Sequence, residues 1–421
     1  MTRFETAGHT ARLRANMVEA LRSTGAARDD DVLEAMGRVR RETFVPHFFS
    51  LPQPLKTGTP ADVREWDIGD ADGGDEAALN LVYDIDRALG IRRDAGPSGP
   101  TAGSGVTSTA SAPRIVAAML ELAQLAAGMK VLEIGTGSGY NAALLRELVG
   151  PQGQVTTVDI DSTLVAGARE RLGAAGYDDV EVVAGDGYFG VAGRAPFDRV
   201  VATVGCADVA PLWLAQLAPG GFCLVPLQHG GLHPLARVEP KADGATAMIV
   251  AAAGFVAIQG HQAGHSPWPH VGRLGPDPNV EWSPLSDRLE KALDRGEGQG
   301  SWRPTWDMDY LVALEDRRAA SALSLNDGTS SAAIDPKGGR VGHLGPYGRE
   351  LQDRLLELAH LWVDLGCPAR ADYTSTLTPL GPNIAVAANE PLSWVVDRLD
   401  YRQVVRLSGA RLVGNEGAEG R

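Results

Sequence analysis

The chain has 421 residues and a formal net charge of −14, with 44% hydrophobic and 22% charged residues. That balance suits a globular protein of two or three domains, and the acidic excess disfavours general binding to phosphate backbones. No apolar run approaches the roughly 20 residues that span a bilayer, and Cys206, Cys223 and Cys367 are too scattered for a disulfide framework or a thiolate metal site.

The N-terminus MTRFETAGHTARLR has no apolar h-region, so a cytoplasmic location is expected. Residues 10–24 place Leu13, Met17, Val18 and Leu21 on one face and predict an amphipathic helix. Asp29 to Asp31 can cap a second helix, VLEAMGRV, which leads into 40-RRETFVP-46. Residues 53–80, including 69-GDADGGDE-76, read as a mobile acidic loop without EF-hand spacing. The stretch 105-GVTSTASAPRIVAAML-120 is a hydroxyl-rich loop running into an apolar helix at Pro113.

From about 113 to 260 short apolar strands alternate with helices, which predicts a mostly parallel, doubly wound sheet covered on both faces. PLARVEP and ATAMIVAAAGFVAI then read as an antiparallel pair closing the sheet edge. Residues 264–284 have the Pro and Gly spacing of a linker. Beyond them come a charged helix at 286–295 and the strand-like pieces DYLVALED, AASALSLN, SSAAID, GRVGHL and DYTSTLTPL. One helix, 349–366, gathers Leu351, Leu355, Leu358, Trp362 and Leu365 on a face and ends at Gly366 and Pro368. The expected organisation is an N-terminal helical segment (1–110), a core (111–260), a linker (261–300), an α+β domain (301–413) and a disordered tail (414–421).

In 133-EIGTGSGY-140, glycines at a strand end open a helix, where backbone and helix N-terminus meet a ligand closely. Asp159 ends the next strand, placed to take two ribose hydroxyls, and Asp186 in 185-GDG-187 ends the following one, placed to accept from an adenine amine. A dinucleotide site favours G-x-G-x-x-G, whereas E-x-G-x-G-x-G with strand-end acids is the pattern of class I S-adenosylmethionine methyltransferases. A loop that serves packing alone is the bland alternative.

From about Thr10 to Ile258 the chain resembles the protein-L-isoaspartate O-methyltransferase family. The resembling pieces are 32-VLEAMGRVRRETFVP-46, 82-VYDIDRAL-89, 109-TASAP-113, 131-VLEIGTGSGYNAALL-145, 185-GDGY-188, 197-FDRVVATVG-205 and 214-LAQLAPGGFCLVPL-227. The T-x-S-x-P stretch is the family hallmark, more specific than the glycine loop. The resemblance implies an α/β, Rossmann-like class I S-adenosylmethionine methyltransferase sheet with N-terminal helices, beside the smaller C-terminal α+β domain. It implies transfer of a methyl group from S-adenosylmethionine to a peptide aspartyl or isoaspartyl carboxylate, leaving S-adenosylhomocysteine, with the ester closing to a succinimide. Thr109 and Ser111 would meet the acceptor carboxylate. Glu133, Gly135, Thr136, Gly137, Ser138, Gly139, Asp159, Ile160, Asp186, Gly187 and Thr203 would hold the cofactor, and no metal is needed. Either hydroxyl could instead merely cap the helix that follows.

Family members are commonly compact, whereas this chain adds residues 259–421, inserts the acidic loop and carries 203-TVGCAD-208 where an Ala-rich run is usual. The extended architecture resembles the branch that accompanies actinobacterial ribosomal peptides of lanthipeptide type, which implies a modified precursor peptide as partner. General isoaspartyl repair, small-molecule methylation and a catalytically silent peptide-binding scaffold are the alternatives. His261, His265 and His270, and His229 with His233, lack a rigid face or carboxylate partner for a metal, and Trp302 with Trp306 can be core or peptide-contacting surface.

Overall fold

The computed structural model describes residues 3–51, 64–68, 76–93, 105–268, 277–294, 304–320, 323–380 and 392–408. The chain divides into two compact units, one of residues 1–226 with 255–263, the other of 227–254 with 264–421.

The first unit opens with α1 (Arg3–Ser23), α2 (Asp30–Arg38) and α3 (Arg41–Phe44). Met17 and Leu21 are the buried members of the α1 stripe, and the Asp29 side chain caps α2 by accepting from the N–H of Asp31 and Val32. Then come β1 (His47–Ser50), β2 (Glu65–Asp67), α4 (Glu76–Tyr83), β3 (Leu89–Arg93) and β4 (Val106–Ala110). The strands form an antiparallel sheet in the order β2-β1-β3-β4. Two expectations change here. Within the supposed acidic loop, β2 and α4 are regular structure, and its remaining residues 53–63 and 69–75 lie outside the described set. The hydroxyl stretch is a strand and not a loop, because β-branched Thr107 and Thr109 suit the pleat while Ser108 and Ala110 alternate into the interior.

The chain continues through α5 (Pro113–Ala123), β5 (Lys130–Ile134), α6 (Tyr140–Val149), β6 (Gln154–Asp159), α7 (Ser162–Ala174), β7 (Glu181–Ala184), β8 (Phe197–Ala202), α8 (Pro211–Ala215) and β9 (Leu217–Pro226). The strand order is β9-β8-β5-β6-β7, all neighbours parallel, as the alternation predicts. Val131, Leu132, Glu133 and Ile134 of β5 are all buried, since helices cover both faces of a parallel sheet. After β7 the chain crosses back to the other side of β5, which makes the carboxyl ends of β5 and β8 the switch point.

The second unit holds β10 (His233–Lys241), β11 (Gly244–Ala253), β12 (Glu281–Pro284), α9 (Asp287–Asp294), α10 (Pro304–Glu315), β13 (Ala319–Ala320), β14 (Ser324–Asn326), β15 (Ser331–Asp335), β16 (Arg340–Leu344), α11 (Gly348–Asp364), β17 (Tyr373–Pro379), β18 (Ser393–Asp397) and β19 (Tyr401–Leu407). β10 and β11 pair antiparallel as expected, but β11 is no edge: Ala245 to Met248 also pair with Leu377 to Thr374 of β17. The hairpin belongs to the second unit and not, as expected, to a core of residues 111–260. The order there is β10-β11-β17-β19-β18, and a second antiparallel sheet runs β12-β16-β15-β14-β13.

DYLVALED belongs to helix α10 and is not a strand; Met308 to Leu314 are buried on all sides, which hides the helical period. The supposed linker contains β12, the charged helix expected at 286–295 is α9, and 269–276 and the expected tail at 414–421 lie outside the described residues. Helix α11 buries Leu351, Leu355, Leu358 and Trp362 as its periodicity predicts.

Candidate functional site

A pocket in the first unit opens at the switch point, outside the carboxyl ends of β5 and β8. Its floor is the loop from Gly135 to Ser138. Gly135 has φ +100°, and a Cβ there would stand 2.9 Å from the Thr203 hydroxyl. That hydroxyl donates to the carbonyls of Ile134 and Gly135, at 3.0 and 2.8 Å, so Thr203 holds the loop from the β8 side. From the other side comes β4. A Cβ on Gly137 (φ +52°) would lie 3.4 Å from the Ser108 hydroxyl.

Behind the loop is a polar network. Glu133 is fully buried; it accepts from Asn141 Nδ2 at 2.8 Å and from Thr157 Oγ1 at 2.7 Å, and Thr157 also bonds Thr136 Oγ1 at 2.7 Å. Burial pushes the Glu133 carboxyl up to about 7, against the two hydrogen bonds that favour its anion. Asp159 accepts from the Gly137 N–H at 2.9 Å and from the Asp161 N–H at 3.0 Å. Burial raises its pKa as well, opposed by those backbone donors. Ile160 stands 44% exposed beside it and gives the mouth an apolar face.

Thr109 and Ser111 line the same pocket. Helix α5 starts at Pro113 with Ala112 as its N-cap and no side-chain cap bond, so neither hydroxyl caps it. Among the described residues neither hydroxyl has a hydrogen-bond partner. The far wall is Phe255 to Gln259. This segment was expected to be strand, but β11 stops at Ala253 and the chain docks on 205 instead, with Gly205 N–H on Val256 O and Ile258 N–H on Gly205 O.

Of the residues named from sequence, Thr136, Gly137, Ser138, Gly187 and Thr203 also line the pocket, and Gly139 instead forms the N-cap of α6. Asp186 is not brought in. Its carboxylate accepts from the Tyr188 N–H at 2.9 Å and from the His261 N–H at 2.7 Å, which tie it to the chain itself. Sequence reasoning passed over Thr107 and Ser108 as ordinary loop, and over Asn141 and Thr157. A hydroxyl at a buried strand position, as in QVTTVD, was the available signal for Thr157.

Among the described residues no group of three or more His, Cys, Asp or Glu gathers where a metal could bind. His261 packs on Tyr188, with ring centroids 4.1 Å apart, and His229 is buried against Tyr310; His270 and Trp302 lie outside the described residues.

Residues 99–263 match the family described as Protein-L-isoaspartate(D-aspartate) O-methyltransferase. A protein-L-isoaspartate O-methyltransferase of Methanopyrus kandleri is 37% identical over 234 residues, which is 55% of this chain and 84% of that protein. One from Aeropyrum pernix is 38% identical over 236 residues, covering 56% of this chain and 73% of its own. A solved structure described as a protein-L-isoaspartate O-methyltransferase aligns over 86% of this chain and 95% of its own at 21% identity, with a TM-score of 0.47.

Proposed function

The chain belongs to the protein-L-isoaspartate O-methyltransferase family, and from that membership we propose that it esterifies a side-chain carboxylate of an aspartyl or isoaspartyl residue in a peptide, with S-adenosylmethionine as donor. The observation that carries the reading is the meeting of two unpartnered hydroxyls, Thr109 and Ser111, with the glycine loop and Asp159 in one pocket.

The residues present fit the cofactor. Asp159 offers a carboxylate to ribose hydroxyls, Ile160 an apolar face to the adenine, and Glu133 an anion beside the loop for an ammonium group. When bound, S-adenosylmethionine supplies a sulfonium methyl, which passes to a carboxylate oxygen as its bond to sulfur breaks. The acceptor is ionised at neutral pH, so the chain needs no general base. Ser111 donates to one acceptor oxygen and leaves the other free to face the methyl, and Thr109 flanks it. The β4 residues and Phe255–Gln259 line the pocket, where holding the two reactants close and away from water would supply the acceleration.

The finer reading is a single dedicated acceptor, the precursor of a ribosomally made peptide of lanthipeptide type. What supports it is length: the relatives align with 55% and 56% of this chain, and a second compact unit remains for partner recognition. The test supplies labelled S-adenosylmethionine with a generic isoaspartyl peptide, and separately with the peptide encoded beside the gene. Labelling of the neighbour alone supports the dedicated reading, and labelling of the generic peptide alone replaces it with general repair. Labelling of neither removes peptide methylation.

A further inference from the structure

Arg41, on α3, is fully buried, although nothing in its own short helix requires a cation there. Its Nε donates to the Val82 carbonyl at 2.9 Å. Its Nη2 donates to the Ser111 carbonyl at 2.8 Å and, more weakly, to the Ala110 carbonyl at 3.4 Å. The guanidinium lies 4.9 Å from the centre of the Tyr140 ring, and Tyr140 lines the pocket. Among the described residues Nη1 is buried with no hydrogen bond of standard geometry, although the Tyr140 side chain also interacts with the charge. Among the described residues no carboxylate pairs with this charge; the adjacent Glu42 instead engages the Tyr83 hydroxyl and Arg40.

An uncompensated buried guanidinium is costly, and apolar packing would serve stability better. Its fork does one thing an apolar side chain cannot: it grips the carbonyls where the hydroxyl strand turns into α5. We infer that Arg41 is a positioning residue for the methyl acceptor, fixing the end of β4 so that the Ser111 hydroxyl is held on the pocket. This rests on the reading that Ser111 aims a substrate carboxylate. Arg41 touches no reactant; it acts through Ser111.

The test compares Arg41→Lys, Arg41→Met, Ser111→Ala and the double variant Arg41→Lys with Ser111→Ala, using an isoaspartyl peptide and the neighbouring precursor as acceptors. Activity is expressed per cofactor-binding site, titrated with S-adenosylhomocysteine, so any unfolded fraction drops out. Each Arg41 variant is expected to keep cofactor affinity within about twofold while kcat/KM for the acceptor falls about tenfold or more. The double variant is expected to lose no more than Ser111→Ala alone, because both changes remove one interaction. Additive losses overturn the inference, as does normal activity per site with a lowered melting temperature. If neither Arg41 variant yields a cofactor-binding fraction, Arg41 serves stability alone and the inference falls. Failure of the wild type on both acceptors instead removes the underlying reading.

Discussion

Asp159 and Gly137 are joined: the carboxylate at the end of β6 accepts the glycine-loop N–H at 2.9 Å. The acid assigned to the ribose thus also sets the position of the loop beside it. Asp159→Ala should therefore raise the cofactor Kd more than tenfold while affecting turnover at saturating cofactor much less. Ser111→Ala should do the reverse, lowering turnover about tenfold with cofactor affinity nearly unchanged. Calorimetric titration and labelled-methyl assays separate the two, and equal losses in both quantities for Ser111→Ala would remove its acceptor role.

The two outer faces of the glycine loop differ in tolerance. A Cβ on Gly135 meets Thr203 Oγ1 at 2.9 Å and Val204 Cγ1 at 3.0 Å, in a left-handed backbone; on Gly137 the nearest atom is 3.4 Å away. Gly135→Ala should cost roughly 2 kcal/mol or more and Gly137→Ala about 1 kcal/mol, read from denaturant midpoints.

Glu133 gives the stability a pH dependence. Its folded pKa of about 7 lies above the unfolded carboxylate value, so between about pH 4.5 and 7 the folded state keeps a proton that the unfolded chain has released. Stability of the cofactor-free protein should fall as pH rises through that window, by at most about 3.4 kcal/mol, and level off above it. Glu133→Gln mimics the protonated form and should flatten this part of the profile. Urea midpoints taken from pH 5 to 8 on both proteins check it.

His229 works in the opposite direction, in the second unit. It is fully buried and bonded through Nε2 to the Tyr310 carbonyl, and burial lowers its pKa to about 3. The unfolded chain takes up a proton below about pH 6.5 and the folded state does not, so stability should decline with acid between about pH 6.5 and 3. His229→Phe should reduce the slope of that decline by up to about 1.4 kcal/mol per pH unit. It should also lower stability at neutral pH by about 1 kcal/mol for the lost hydrogen bond. An unchanged slope would mean that other groups carry the acid sensitivity.

Period and punctuation in the sequence were enough for the parallel core. The alternation from 113 to 226, the cap at Asp29 and the apolar face of α11 depend on neighbours three, four or two residues apart, so local chemistry fixes them. The pieces that local chemistry could not place were those paired at long range. β4 takes its strand form from β3, and the hairpin β10–β11 takes its unit from β17, more than a hundred residues later. Helix α10 hid its period by being buried all round.

The candidate site divides along the same line. The residue types and their spacing (glycine loop, strand-end acids, T-x-S-x-P) were determined by the sequence alone, because each is a pattern among near neighbours in the chain. Only the tertiary structure decided how they are used. It freed Ser111 by giving the N-cap to Ala112, drew Ser108 against Gly137, turned Asp186 onto the His261 backbone and set buried Arg41 beneath the hydroxyl strand. A hydrogen-bond partner is chosen by proximity in space, and that choice is made when the sheet brings separate strand ends together.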